Sequence, residues 1–342
     1  MTKRRAEASA TADAAFAVAH TNIALAKYWG KADVRLNLPA VPSISLTLDG
    51  LFTETSVAFR RGLGDDRLVL NGRPAGAEEL RRVRALLDRV RRRANTKLRA
   101  EVRSTNNFPT ASGLASSASG FAALAGAAFV AAGLQASPRE VSRFARRASA
   151  SAARSVYGGF VELPAGERGD DALTARPLRV GAGWDVRMVV AVTAEGPKAV
   201  GSTAGMERSR RTSPFYDAWV DGAPAMARRV RRALAARDLE ALGEAMEQST
   251  FAFHACAHTA VPALMYFTPA TLAAYTAVRE LRDRRGVPAF ATMDAGPHVK
   301  VLTSNAHARR VASTLARAPG VLRVIVAKPG PGLVVRRGAG AR

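Results

Sequence analysis

One cysteine, Cys256, stands among 342 residues, so neither an intramolecular disulfide nor a multi-cysteine metal cluster is possible within the chain. Aromatic residues make up only 6 %, three of them tryptophan. None interleaves with the basic runs, so the stacking platform of a single-strand nucleic-acid binder is missing. No apolar run reaches the ~20 residues that a membrane helix needs. Met1 to Ala15 is charged and Ala-rich without the apolar stretch of a secretory signal, and a cytoplasmic location is the default expectation. Acidic residues are few: 28 Asp and Glu face 51 Lys and Arg, a formal charge of +23.

What is present is arginine and a sizeable apolar fraction. Hydrophobic residues reach 48 %, which specifies a globular chain. The densest basic runs are Arg81-Arg82-Val83-Arg84, Arg91-Arg92-Arg93 and Arg228-Arg229-Val230-Arg231-Arg232. Val83, Leu86, Leu87 and Val90 fall at i, i+3, i+4 and i+7, which predicts an amphipathic helix with an arginine outer face. Such a field attracts polyanions, yet the same runs serve as solvated helix faces. Without aromatic partners, nucleic acid is not the expected ligand. A small, highly charged anion is still drawn in.

The stretch Asn106-Asn107-Phe108-Pro109-Thr110-Ala111-Ser112-Gly113-Leu114-Ala115-Ser116-Ser117-Ala118-Ser119-Gly120 packs hydroxyls and glycines ahead of an Ala-rich helical segment. Helix N-termini expose backbone N–H groups and partial positive charge, glycine lets backbone approach an anion, and serine adds donors. Phosphate binding and an ordinary loop before a buried helix are both compatible with this composition. No Gly-Lys-Ser/Thr follows, so it is not a Walker A loop.

Strands are predicted over 16–25, 43–59, 67–70, 98–104, 156–163, 186–193, 290–293, 299–303 and 321–327. Asn71-Gly72 reads as a hairpin turn and Asp294-Ala295-Gly296-Pro297 as a turn between two strands. Ser137-Pro138-Arg139-Glu140 starts a helix running to about Ala148, followed by a second small-residue loop. Thr212-Ser213-Pro214 starts another, a long one covers about 239–257, and Thr268-Pro269 caps one ending at Gly286. Strands and helices mix without a regular βα repeat, so the fold class is α+β. His254 and His258 share a helix face near Cys256, but no local carboxylate completes a metal set, and no metal site is expected there.

Several segments together resemble the diphosphomevalonate decarboxylases of the GHMP kinase superfamily. They are Asn22-Ile23-Ala24-Leu25-Ala26-Lys27-Tyr28-Trp29-Gly30-Lys31, Leu36-Asn37-Leu38-Pro39, Ser43-Ile44-Ser45-Leu46-Thr47-Leu48 and the 106–120 loop. Arg154-Ser155-Val156-Tyr157-Gly158-Gly159-Phe160, Thr212-Ser213-Pro214-Phe215-Tyr216, Met293-Asp294-Ala295-Gly296-Pro297 and Val299-Lys300-Val301 complete the set. The resemblance runs from about residue 16 to 330. It implies a two-part GHMP fold with a tail at 1–14, an N-terminal nucleotide-binding part at 15–188 and a C-terminal part at 189–342. The active site would lie in the cleft between the parts.

The implied reaction is ATP-dependent. A tertiary hydroxyl is phosphorylated, then phosphate and CO2 leave and isopentenyl diphosphate forms. The resemblance assigns catalysis to Asp294, Lys27 and Arg154, and substrate contact to Asn22, Tyr28, Lys31, Arg73, Ser149 and Ser151. Pro109, Gly113, Leu114, Ala115, Ser116 and Ser117 would hold ATP, with Mg2+ carried through its phosphates. A diphosphate substrate, a homodimer and no membrane or nucleic-acid partner belong to the same expectation. The chain departs from the family's pattern at Val41-Pro42-Ser43 (usually Asn-Ser-Ser), at Ala148-Ser149-Ala150-Ser151-Ala152-Ala153-Arg154 (usually Gly-Ser-Gly-Ser-Ala-Cys-Arg) and at Gly296-Pro297-His298 (usually Gly-Pro-Asn). A monophosphate decarboxylase, a kinase that stops at the phosphorylated alcohol, and a polyanion-binding protein on the same scaffold stay open.

Overall fold

Alternating small and β-branched residues build the two long strands on which the molecule is organised. They belong to a computed structural model that describes residues 14–108, 116–135, 137–181, 183–196 and 199–338. In chain order the first strands are β1 (Ala15–Ala26), β2 (Lys31–Asp33), β3 (Leu38–Pro39), β4 (Ser43–Arg60), β5 (Arg67–Leu70), β6 (Arg73–Pro74), β7 (Arg99–Asn106), β8 (Phe160–Leu163) and β9 (Arg176–Pro177). The later ones are β10 (Val186–Val192), β11 (Ala289–Met293), β12 (Val299–Ser304), β13 (Arg323–Ala327) and β14 (Val334–Arg337). The helices are α1 (Ala77–Ala94), α2 (Ser116–Ala131), α3 (Pro138–Ala148), α4 (Ser202–Thr212), α5 (Tyr216–Ala236), α6 (Leu239–His258), α7 (Pro269–Arg285) and α8 (Asn305–Ala316).

The first sheet runs β14-β1-β4-β7-β5-β6, with β8 and β9 continuing from β4. The second runs β11-β12-β10-β13. Helices α1, α2 and α3 cover the first sheet through Leu86, Leu87, Phe129 and Phe144. Each such buried side chain contributes about 1.5–3 kcal/mol. Helices α7 and α8 cover one face of the second sheet through Val278, Leu281, Val311 and Leu315. A third core joins the parts, where Ile23, Leu25 and Leu46 meet Met188, Val190, Val230 and Met246. The α+β fold is therefore two layered units sharing a core, and the ends of β1 and β11 emerge beside each other.

Local signals explain the helix ends. Ser137 Oγ accepts from Glu140 N at 3.3 Å, and Thr268 with Thr271 forms a reciprocal capping box. Gly286 closes α7 in the left-handed region. Two expectations need correction. The segment after Ala148 is a 3-10 helix, Ala150–Val156, and the strand begins only at Phe160, because Gly158-Gly159 interrupts it. The Thr212-Ser213-Pro214 segment ends α4 and precedes α5, which starts at Tyr216. Helices α4 and α8 lie outside the predicted elements. Strand β10 starts at Val186, and β14, from the far C-terminal end, pairs antiparallel with β1 in the first sheet.

Candidate active site

The loop after β1 and the turn between β11 and β12 bring opposite charges together. Helix α6 sits behind both. Lys27 N donates to Ser249 Oγ at 2.9 Å, and Thr250 and Thr292 share a hydroxyl contact at 2.9 Å. The turn is fixed at its carbonyl, since Pro297 O accepts from Thr271 Oγ1 at 2.6 Å and from Thr193 Oγ1 at 2.8 Å. On this mount Asp294 Oδ1 accepts from Lys27 Nζ at 2.6 Å, and Oδ2 lies 3.1 Å from Lys300 Nζ. Lys27 and Lys300 are buried, whereas the Asp294 side chain keeps 26 % exposure toward the cleft.

Arg154 is the third member of the group. The 3-10 helix carries it under the strands, 2 % exposed. Its Nε donates to Ser45 Oγ at 2.9 Å and to Asn22 Oδ1 at 3.3 Å, and Nη1 donates to Ser43 Oγ at 2.6 Å. Asn22 Nδ2 in turn donates to Ser155 Oγ at 2.7 Å and to Ser151 O at 3.1 Å. Among the described residues the guanidinium's hydrogen-bond partners are neutral oxygens, so its charge remains available to an anion in the cleft.

Burial and neighbours set the protonation states. Burial, reinforced by Lys300 and opposed by Asp294, brings Lys27 down to about 8. Burial alone would raise the Asp294 carboxyl, but Lys27 and Lys300 outweigh it and hold it well below the usual carboxylate range. Burial lowers Arg154 to about 10, against the pull of Asp294. Burial raises the Tyr28 phenol. His254 and His298 are both pushed down to about 3, by burial with Lys27 in the first case and by burial with Lys300 in the second. Both are neutral near pH 7.

A cleft of about 1920 Å³ runs between the two units. Asn22, Lys27, Tyr28, Lys31, Ser116, Ser117, Ser149, Ser151, Arg154 and Asp294 all line it. Ser116 and Ser117 open α2, and Ser149 Oγ lies 3.1 Å from Ser151 Oγ. Among the described residues Lys and Arg outnumber Asp and Glu along its walls. Arg73 stands exposed on β6, at one end of the first sheet, and is not among the residues that line the cleft. Pro109, Gly113, Leu114 and Ala115 lie outside the described residues.

Lys300, Ser43 and Ser45 belong to the site although the sequence assigned them no role. Lys300 sits in the apolar run of β12 with no exposure, and a lone lysine between valines was its signal. Ser43 and Ser45 alternate with Ile44 and Leu46, placing hydroxyls on one face of β4. His254 packs on Phe253 and Phe267, each with ring centroids 4.3 Å away, and stands 5.5 Å from His258. That pair is part of an aromatic cluster.

A paired lysine and aspartate between two such sheets can be compared with known proteins. A family model described as the diphosphomevalonate decarboxylase-like N-terminal domain matches residues 19–174, and one for the mevalonate 5-diphosphate decarboxylase C-terminal domain matches 188–323. The chain belongs to the diphosphomevalonate decarboxylase family. The Bos taurus diphosphomevalonate decarboxylase is 35 % identical over 83 % of this chain and 75 % of its own. The phosphomevalonate decarboxylase of Haloferax volcanii is 34 % identical, over 88 % and 92 %. The Staphylococcus aureus mevalonate diphosphate decarboxylase superposes with TM-score 0.89 at 37 % identity, covering 94 % and 98 % of the two chains. A solved complex of MDDEF with MVAPP, AMPPCP and magnesium gives TM-score 0.89 at 39 % identity, covering 95 % and 99 %.

Proposed function

We propose that this member of the family decarboxylates mevalonate 5-diphosphate at the expense of ATP, giving isopentenyl diphosphate, ADP, phosphate and CO2. The observation that carries the reading is Asp294, ionised between two lysines and facing the cleft beside Arg154. The reaction must hold a carboxylate, a diphosphate and a triphosphate at once. The electropositive cleft suits that load.

The roles follow from chemistry. A tertiary alcohol is a poor leaving group until ATP supplies it with a phosphoryl group. Asp294 Oδ1 accepts the hydroxyl's hydrogen bond and aims the oxygen at the incoming phosphorus. A strongly acidic carboxyl is a weak base, so the proton passes to it only as the O–P bond forms and acidifies it. Positioning and charge stabilisation then do most of the catalysis, as phosphoryl transfer allows. Lys27 offsets the negative charge that gathers at the oxygen. Arg154 holds the substrate carboxylate until that C–C bond breaks. Its electron pair becomes the alkene as the C–O bond to phosphate opens. Lys31, Ser149 and Ser151 take the diphosphate, with Asn22 fixing Arg154 and Tyr28 closing the wall.

ATP fits the start of α2, where Ser116 and Ser117 present hydroxyls at a helix N-terminus. Mg2+ would enter with ATP, liganded chiefly by its phosphates and by water. Among the described residues no helix is long and apolar enough to cross a membrane. Our reading adds a cytoplasmic homodimer without a nucleic-acid partner, which sedimentation with and without RNA would test.

A second substrate is favoured by one observation, the Haloferax volcanii phosphomevalonate decarboxylase at nearly the same identity. Incubation with ATP and either mevalonate 5-diphosphate or 5-phosphate, following ADP and CO2 separately, decides. Equal ADP and CO2 with the diphosphate supports the reading. CO2 only from the monophosphate names the alternative, and ADP without CO2 marks a kinase.

A further inference from the structure

The two oxygens of Asp294 are held by two lysines that are not equivalent. Lys27 lines the cleft. Lys300 does not: it lies in the middle of the second sheet, with Val190 of β10 and Thr292 of β11 as its register partners, and has no exposure. An entering polyanion can therefore compete for Lys27, but it cannot reach Lys300. We infer that Lys300 is a positioning residue for the reaction, anchoring Asp294 Oδ2 from behind so that the carboxylate stays charged and aimed while Lys27 turns to the substrate. The idea rests on the role proposed above for Asp294, and it assigns the permanent half of that carboxylate's support to one buried side chain.

The charge count supports this division. The charged and titratable groups facing Asp294 are Lys27 from the loop after β1, Arg154 from the 3-10 helix, Lys300 from β12, His254 from α6 and His298 from its own turn. The two histidines are neutral at working pH, for burial pushes each to about 3. Lys27 and Arg154 both face anionic substrate groups in the mechanism. When they do, Lys300 is the cation left to Asp294 among these neighbours, and its contact at 3.1 Å is to the oxygen that the substrate hydroxyl does not use. His298 adds rigidity, since its Nδ1 accepts from Thr193 N at 3.2 Å and ties the turn to the end of β10.

The test removes the charge and reads the carboxylate directly. Lys300→Met keeps an unbranched chain in the apolar strand, and Lys300→Gln serves if the methionine variant does not fold. Protein carrying 13C-carboxyl aspartate, with the Asp294 signal assigned by Asp294→Asn, is titrated from pH 7 downward. The wild-type signal stays that of an ionised carboxylate to the lowest pH the fold survives. In the variant it titrates at least one unit higher, and kcat at pH 7.5 falls about 10-fold with KM for ATP and mevalonate 5-diphosphate within twofold of wild type. A variant in which Asp294 titrates as in wild type overturns the inference, whatever its stability. The titration does not depend on turnover. A shifted Asp294 in a protein that never releases CO2 would keep the anchoring role and sink the reading of the reaction. An active protein with an unmoved Asp294 would do the reverse.

Discussion

In the proposed reaction Asp294 orients the alcohol only while it is charged, and Lys27 offsets the charge gathering on the oxygen only while it is protonated. Asp294→Asn preserves shape and removes the charge. It should lower kcat by roughly 10²–10⁴-fold while calorimetric ATP affinity stays within a factor of about three. Wild-type turnover in that variant would remove Asp294 from the mechanism. Lys27 supplies a pH dependence with a definite sign. Burial brings it to about 8, so it is protonated below that pH and neutral above it. The folded protein should therefore lose kcat as pH rises through about 8, in a single limb measurable between pH 6.5 and 9.5. A profile flat across that interval would show that Lys27's charge does not matter to the rate. Asp294 adds no limb there, since the two lysines hold it ionised throughout.

At the scale of elements, the site depends on how closely α6 and α7 approach the second sheet. Gly243 on α6 has no side chain because Phe290 of β11 fills its space. A Cβ there would lie 2.0 Å from a ring atom. The ring is itself pinned, 4 % exposed with the Arg282 guanidinium 5.0 Å from its centroid. Gly243→Ala gains about 1 kcal/mol of helix propensity yet must push the ring aside, a cost of about 1–3 kcal/mol for overpacking. A lower Tm is expected, and an unchanged or raised Tm would show that β11 yields freely. Thr271 on α7 holds the Asp294 turn through the Pro297 carbonyl at 2.6 Å. Thr271→Val keeps the volume and deletes that donor. It should cut kcat several-fold, and more than it raises KM, because the Asp294 mount loosens. Equal changes in kcat and KM would place the effect elsewhere.

Across the whole molecule, the C-terminal segment is structural. After β13 the chain crosses back to the first sheet, where Gly158 and Gly330 allow backbone-to-backbone contact. A Cβ on Gly158 would meet Gly332 N at 2.7 Å, and one on Gly330 would meet Asp49 N at 2.5 Å. Strand β14 then completes the edge of β1, and Leu333 and Val335 pack beside Gly126 of α2. A chain ending at Ala327 exposes the β1 edge and uncovers that side of α2. It should be recovered mainly as aggregate or melt at a much lower temperature. A truncated protein with wild-type Tm would show that β14 adds nothing. The +23 charge is spread over helix faces such as α1, where Arg81 pairs with Glu78 at 2.7 Å. The same excess makes the cleft attractive to anions.

Periodicity and punctuation alone determined most elements: the apolar positions of α1, the serine cap of α3, the threonine-proline start and glycine end of α7, the Asn-Gly hairpin. Each of these is a local free-energy preference that neighbours in sequence satisfy. Motif resemblance also put Lys27, Arg154 and Asp294 on one list. Only the tertiary structure decided that Lys27 and Asp294, 267 positions apart, touch. It also decided that Lys300 stands behind them, that Arg73 stands exposed on β6 and that β14 belongs to the first sheet. Pairing between distant strands and the burial of a charge depend on which surfaces meet, and local sequence carries no term for that.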